Sequence, residues 1–169
     1  SLLKLRVVVL LQVTAIAAIL AHDIADRQLL RAMFVGNDLA RTWAETFETA
    51  LVVLVGGSLA SGGSMAINMW YDRDIDPLMA RTGKRPLPSG ELAPNAVLVY
   101  GIVVCVSGVV VLALLANQLA AAFAAFSALF YVLVYTMWLK RRTPQNIVIG
   151  GLAGALSPLV GWTAAGGDP

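Results

Sequence analysis

The 169-residue sequence is poor in cysteine, histidine and charge, with one Cys, one His and 13% charged residues. The single cysteine, Cys105, has no partner in the chain, so no intrachain disulfide framework can form. The net charge of +2 is small, and nucleic-acid binding would need a concentrated basic face without long apolar runs. These shortages exclude a disulfide scaffold and argue against a nucleic-acid-binding domain.

Apolar residues are abundant instead, at 59% of the chain, with a mean hydropathy of +0.78. Ordinary soluble domains are about half apolar. Polar punctuation divides the chain into five apolar segments, each close to the ~20 residues that cross a bilayer. The sequence therefore predicts an all-α, polytopic transmembrane helix bundle that forms a single domain over residues 1–169, with spans at Leu5–Ala21, Thr49–Trp70, Asn95–Ala116, Leu119–Leu139 and Asn146–Ala165.

The distribution of basic residues orients these spans. Three Arg residues occupy the first connection, which is also rich in acids, and the other nine Lys and Arg residues fall on the opposite side. The positive-inside rule then places the N-terminus and both basic connections in the cytoplasm of a bacterial cell, or on the equivalent side of a mitochondrial inner membrane. The nine are Lys4, Arg6, Arg73, Arg81, Lys84, Arg85, Lys140, Arg141 and Arg142.

Three carboxylates follow the second span within five residues, in the motif DRDID. Asn68, Asp72 and Asp76 are spaced i, i+4 and i+8, which places them on one helical face. Asp74 points to the other side, so we expect it to pair with Arg73, Arg81 or another basic residue. Pro77 pushes the residue before it away from helical angles and places Asp76 at the helix terminus.

This acidic cluster is unfavourable without a cation, because the aspartates repel one another and face the negative end of the helix dipole. Oxygen ligands beside a phosphate suit Mg²⁺, so Asn68, Asp72 and Asp76 are the predicted metal ligands. A calcium loop is the competing interpretation, but Pro77 and Gly83 stand where an EF-hand needs glycine and glutamate. A solvated charged loop is the simpler alternative.

Basic residues return to the same membrane edge. Arg81, Lys84 and Arg85 follow the acids in a turn-rich segment, and Lys140, Arg141 and Arg142 follow the fourth span. Arg and Lys bind phosphate oxygens, and Asn146 begins the fifth span, where helical N–H groups favour an anion. Acids that hold a metal and bases that bind oxygens together predict a diphosphate site.

Two long motifs carry a family resemblance, NMWYDRDIDPLMARTGKRPLPSG and YTMWLKRRTPQNIVIGGLAGALSPLVGW. They resemble the haem O synthase branch of the UbiA-type intramembrane prenyltransferases. The resemblance implies an all-helical membrane enzyme that transfers a farnesyl group from farnesyl diphosphate to a vinyl group of haem b. It also implies about twice this length, so the chain is expected to be the N-terminal part of a UbiA-type fold and inactive alone, needing a missing C-terminal half or a second copy.

Carried onto this chain, the resemblance assigns Mg²⁺ and diphosphate to Asn68, Asp72 and Asp76, with Asp72, Asp76 and Arg81 as catalytic residues. It matches Arg81 and Arg85 to the basic pair that follows the acidic motif, and Lys140 and Arg141 to a basic turn that contacts diphosphate or a haem propionate. Together with the residues singled out above, the predicted binding residues are Lys84, Arg85, Lys140, Arg141 and Asn146.

Ionisation of an allylic diphosphate requires charge neutralisation of the leaving group, and aromatic faces can stabilise the resulting cation. The aromatic candidates are Trp70, Tyr71, Phe130, Tyr131, Tyr135 and Trp138.

Other functions fit parts of the sequence. A UbiA-type enzyme that prenylates a quinone precursor or another aromatic acceptor would share the acids. A cation-transport bundle would place ionisable groups deep within its spans, whereas this chain keeps nearly all of its charges at the span edges. His22 lies at the far end of the first span, and we interpret it as structural rather than as a haem ligand.

Overall fold

The computed structural model describes residues 2–25, 39–78, 87 and 92–167. Within these ranges the chain forms helices and turns and no β-strand. The α-helices are α1 (Leu2–Ala25), α2 (Leu39–Tyr71), α3 (Pro94–Leu115), α4 (Gln118–Leu129), α5 (Asn146–Ala155) and α6 (Ser157–Ala164). Two short 3₁₀ turns, Asp72–Asp74 and Asp76–Leu78, follow α2, and a π-helical segment, Phe130–Leu139, continues α4.

Five stretches of helix are long and apolar enough to cross a membrane, which confirms the predicted helix bundle. The third and fourth spans begin and end within a residue of their predicted bounds. The second differs, because α2 begins at Leu39 rather than Thr49. The added turns contain Leu, Ala, Arg and Glu, which favour helix without membrane burial. Hydropathy detects only the apolar part of such a helix.

The fifth span is divided where the sequence predicts one continuous helix. α5 ends at Ala155 and α6 begins at Ser157, with Pro158 in the first turn of α6. Proline has no N–H to donate to the preceding turn, and its ring clashes with that turn. The two helices nevertheless follow one another closely enough to form a single apolar stretch, Asn146–Ala164.

Glycines bring α2 and α3 into close contact. A Cβ atom on Gly63 would overlap the backbone of Cys105, and one on Gly108 would overlap the backbone of Ala60. Small residues let helix backbones approach closely, which is a common means of association between membrane helices. Gly62, next to Gly63 in the sequence, has open space at the same position. The close approach of α2 to α3 is therefore made by the face of α2 that carries Gly63.

The bundle places two connections at one end. The turns after α2 contact the turn after the π-helical segment, because Asp72 meets Lys140 and Asp74 meets Arg141. These residues are separated by 68 and 67 positions in the sequence. The predicted acidic and basic motifs therefore lie at the same membrane edge.

Candidate active site

The site begins where α2 ends. The α-helix stops at Tyr71 and the backbone tightens into the two 3₁₀ turns that carry Asp72 and Asp76. Pro77 lies in the second turn, where it has no N–H with which to continue α-helical hydrogen bonding. Two of the three residues predicted to share a helical face are in contact, because Asn68 Nδ2 donates to Asp72 Oδ2 at 3.0 Å. Asp76 is also buried, but it lies in the second turn rather than on a continuous helix.

Asp72 is the centre of a buried polar cluster. Its Oδ2 atom accepts from Asn68 and from the ammonium group of Lys140. Asn68 also donates to Thr136 Oγ1 at 3.1 Å, and the Thr136 hydroxyl donates to the Tyr131 carbonyl at 2.8 Å. Buried polar networks of this kind hold their members in one arrangement when every donor is satisfied. These hydrogen bonds link the C-terminal end of α2 to the π-helical segment.

Thr136 is a site residue that sequence reasoning missed. It lies within an apolar run, and its side-chain hydroxyl donates to the Tyr131 carbonyl five residues earlier. The backbone bond from Lys140 N to the Tyr135 carbonyl also spans five residues, which is the spacing of a π-helix. π-helical turns are rare and frequently occur at functional sites. The available signal was the i, i+4 spacing of Thr136 and Lys140.

A second acid–base pair lies on the outer side of the same turns. Arg141 donates to Asp74 through both terminal nitrogens, at 2.8 and 2.7 Å, and to the Tyr71 carbonyl at 3.0 Å. Its guanidinium also stacks over the Tyr71 ring at 4.5 Å. The hydrogen bonds to Asp74 raise the pKa of Arg141 above its ordinary value. Asp74 thus pairs with a basic residue, as expected, and its partner is Arg141.

The remaining predicted residues divide into two groups. Asn146 starts α5, and its side chain donates to the Thr143 carbonyl at 2.7 Å, so it supports its own turn. Arg73 bonds the Trp70 carbonyl and stacks on the Trp70 ring. The other predicted basic residues, Arg81, Lys84 and Arg85, lie outside the described residues.

A cavity of about 340 Å³ opens within one helical turn of Asn68. Its walls come from α1, α2, α4, α5 and α6, with Ser64, Met65 and Tyr131 at the end nearest the acids. Small-molecule sites commonly enclose roughly 300–1,000 Å³. The volume suits a small molecule, and Asn68 and Asp72 lie beyond this end of the cavity rather than in its wall.

The cavity wall is mostly apolar, and three of its four serines bond their hydroxyls to the backbone. The hydroxyls of Ser61, Ser64 and Ser127 donate to backbone carbonyls at 2.7–2.8 Å. Ser61 and Ser64 bond to the preceding turn of α2, as serines in membrane helices commonly do, whereas Ser127 bonds to Ala153 on α5. These three hydroxyl protons are therefore not directed at the cavity. The wall therefore favours a hydrocarbon chain over a sugar or a nucleotide.

A model of the UbiA prenyltransferase family matches residues 29–169. The chain belongs to this family. A Brucella ovis protein named protoheme IX farnesyltransferase is 53% identical over 119 residues, which are 70% of this chain and 38% of the relative. The Azorhizobium caulinodans protein of the same name is 55% identical over 120 residues, or 71% and 38%. The chain thus matches well under half the length of these relatives. No solved structure matches it.

Magnesium, which the UbiA resemblance implies, can be tested against one atom. Asp72 Oδ1 is buried and accepts no hydrogen bond from the described residues. A buried carboxylate oxygen without a donor is costly, and a cation would satisfy it. No group of three His, Cys, Asp or Glu residues is gathered in the described ranges, yet Mg²⁺ needs only one or two carboxylates beside substrate phosphates. The residues fit Mg²⁺.

The aromatic candidates of this UbiA family member occupy different surroundings. Tyr131 lines the cavity and stacks on Tyr135, with ring centroids 5.3 Å apart. Trp138 is exposed on the outside of the bundle. Trp70 and Tyr71 carry the arginine contacts described above. Of the six, Tyr131 is the one that lines the cavity.

His22 lies at the opposite end of the bundle from Asp72. Its Nδ1 atom is 3.4 Å from Asp23 Oδ1, and its ring meets Trp162 edge-on at 5.0 Å. Thr46 also donates to Asp23, at 2.6 Å. These contacts join α1, α2 and α6, which agrees with the structural interpretation of this histidine.

Proposed function

We propose that the protein transfers a farnesyl group from farnesyl diphosphate to a vinyl group of haem b, with Mg²⁺ as cofactor. The observation that carries the proposal is the buried Asn68–Asp72 pair with its Lys140 partner, which lies about one helical turn along α2 from Ser64 and Met65 in the wall of an apolar cavity. A prenyl diphosphate has the matching polarity, with a charged head and a hydrocarbon tail. Membership of the UbiA prenyltransferase family supports the reaction class.

The reaction begins with cleavage of the allylic carbon–oxygen bond, and the electron pair departs with the diphosphate. The electrons of the acceptor double bond then form the new carbon–carbon bond, and water quenches the remaining cation with loss of a proton. Bound Mg²⁺ would neutralise the charge that develops on the leaving group. Positioned charges of this kind supply much of the catalytic effect in polar reactions.

The chain's own residues have three tasks in this scheme. Asp72 and Asp76, with Asn68, would hold the metal, and Lys140, which contacts Asp72 from the turn after the π-helical segment, would neutralise diphosphate oxygens. The apolar cavity would bind the farnesyl chain and keep water from the allylic cation. Tyr131 would present its ring to that cation, an interaction that contributes about 2 kcal/mol or more when desolvated.

The acceptor assignment rests on the named relatives. The Brucella ovis and Azorhizobium caulinodans proteins are called protoheme IX farnesyltransferases, and we extend haem b to this chain from them. A quinone precursor or another aromatic acceptor is the alternative, because the diphosphate end of the site would be the same.

The test uses the natural gene product that contains this sequence, reconstituted in lipid nanodiscs. Labelled farnesyl diphosphate is supplied with haem b or with a hydroxybenzoate acceptor, in Mg²⁺ or in EDTA, and products are identified by mass. We expect a farnesylated haem that forms in Mg²⁺ and not in EDTA. A prenylated hydroxybenzoate would establish the alternative, and transfer to neither acceptor would refute the proposal.

We further propose that the Asp72 and Lys140 turns face the cytoplasm. The excess of Lys and Arg on this side supports that orientation. After Cys105→Ser removes the native thiol, single cysteines at Ser89 and Thr143 should both react with an impermeant maleimide in inverted membrane vesicles and not in spheroplasts. Labelling in spheroplasts alone would reverse the orientation.

A further inference from the structure

The end of the cavity far from the acids is lined by residues of four helical segments. Along α2 its lining runs from Met65, near Asn68, to Val53, a rise of about 18 Å at 1.5 Å per residue. The lining of the other walls runs in the same direction, away from the acids. It ends at Ala15 on α1, Ala124 on α4 and Val160 on α6. The cavity is therefore an elongated slot directed away from the acidic cluster.

The four residues at this far end are also part of the buried core. Ala15, Val53, Ala124 and Val160 belong to one cluster of packed apolar side chains, whose other fully buried members are Ile19, Leu112, Ala120 and Ala121. The slot therefore stops on close-packed side chains rather than on lipid. Close-packed interiors yield little to an added group, so a longer ligand could not extend past them.

The backbone behind this end is also fixed. A Cβ atom on Gly161 would overlap the carbonyl of Ala15, so α1 and α6 are in backbone contact beside Val160. Helices in such contact cannot move closer, and separation would lose their packing. Side-chain size at these positions, rather than helix movement, therefore determines the depth of the slot.

We infer that Ala15, Val53, Ala124 and Val160 form a floor that sets the length of the prenyl chain the protein accepts. The inference rests on the proposed function and specifies the donor. Val53→Ala with Val160→Ala removes about four carbon atoms from the floor, close to the five of one isoprene unit. Ala124→Val adds two carbon atoms at the same end and shortens the slot. The two changes have opposite predicted effects.

The experiment measures binding rather than turnover. Non-reactive thiodiphosphate analogues of the geranyl, farnesyl and geranylgeranyl donors are added to the natural gene product in nanodiscs. Each analogue competes with labelled farnesyl thiodiphosphate for binding, and its affinity is obtained from the label that it displaces. The Val53→Ala/Val160→Ala variant should shift the geranylgeranyl-to-farnesyl affinity ratio upward by about tenfold, the effect expected when apolar groups are added to or removed from a pocket. Ala124→Val should shift preference toward geranyl by a similar factor.

Leu112→Ala is the matched control. Leu112 is a fully buried member of the same core cluster but does not line the cavity, so the variant should weaken packing without altering chain-length preference. Unchanged preference in both floor variants would overturn the inference alone. Failure of the unsubstituted protein to bind the farnesyl analogue would overturn the proposed function together with it.

Discussion

The two acid–base pairs at the membrane edge differ in their surroundings although they join the same two turns. Asp72 is 0% exposed and Lys140 25%, whereas Asp74 is 56% exposed and Arg141 35%. The inner pair is part of a polar network with Asn68 and leaves one carboxylate oxygen to which none of the described residues donates. In the outer pair both Asp74 oxygens accept from one guanidinium.

This difference indicates that the inner pair is suited to bind a ligand, whereas the outer pair joins two turns. A buried carboxylate with an unused oxygen is poorly satisfied without a cation, because the interior provides no water. A bidentate pair in water is already complete and gains little from a ligand. Adjacent acids in one short motif thus have different roles. We expect the inner pair to act in binding and catalysis and the outer pair to fix the relative position of the turns.

The largest expected effect is that of Asp72→Asn. The amide keeps the shape and a hydrogen bond to Asn68 but loses the charge that would hold the metal. Transfer by the natural gene product should fall by about two to three orders of magnitude, measured as kcat/KM for farnesyl diphosphate. Asp74→Asn is the matched control and should retain most activity. Equal losses in the two variants would erase the distinction between the pairs.

Replacement of Lys140 tests the burial of the inner pair. Lys140→Gln leaves Asp72 buried without its cationic partner, which should lower the free energy of unfolding by about 3 kcal/mol in the absence of ligand. Lys140→Arg keeps the charge and should lose less. Thermal unfolding in nanodiscs with and without Mg²⁺ measures both. We expect Mg²⁺ to stabilise Lys140→Gln more than the unsubstituted protein, and an equal response would argue against a cation at Asp72.

Thr136→Val removes the hydroxyl that joins Asn68 to the Tyr131 carbonyl while preserving side-chain volume. The buried Asn68 amide then loses an acceptor, at a cost of about 1–2 kcal/mol. Thr136→Ser retains the hydroxyl and should come close to the unsubstituted protein in the same unfolding assay. If Val and Ser behaved alike, the network around Asp72 would not depend on this hydroxyl.

The smallest expected effect belongs to the outer pair. Arg141→Gln should lower the thermal midpoint by less than Lys140→Gln, because water and salt screen an exposed pair. The difference from the unsubstituted protein should shrink as salt concentration rises. A loss that persists at high salt would show that the Tyr71 contacts, rather than the charge on Asp74, hold this turn.

Much of the architecture could be predicted because membrane burial acts on individual segments. A run of about 20 apolar residues forms a spanning helix whatever its neighbours are, and the third and fourth spans were predicted within a residue. The predicted bounds of the second and fifth spans were wrong because hydropathy does not detect helix propensity or the effect of proline. Helix propensity extended α2 to Leu39 beyond the apolar segment, and Pro158 divided the last span into α5 and α6.

By itself, the sequence determined the helical membrane class, the spans and the placement of Asp72, Asp76 and Asn68 at a helix end, since these follow from local composition and spacing. Only the tertiary structure decided that Lys140 meets Asp72 while Arg141 meets Asp74. The π-helical segment sets the register of these two basic residues, and their partners lie almost 70 positions away. The same holds for the cavity and its floor, because side chains from four helical segments converge there through packing that local patterns do not encode.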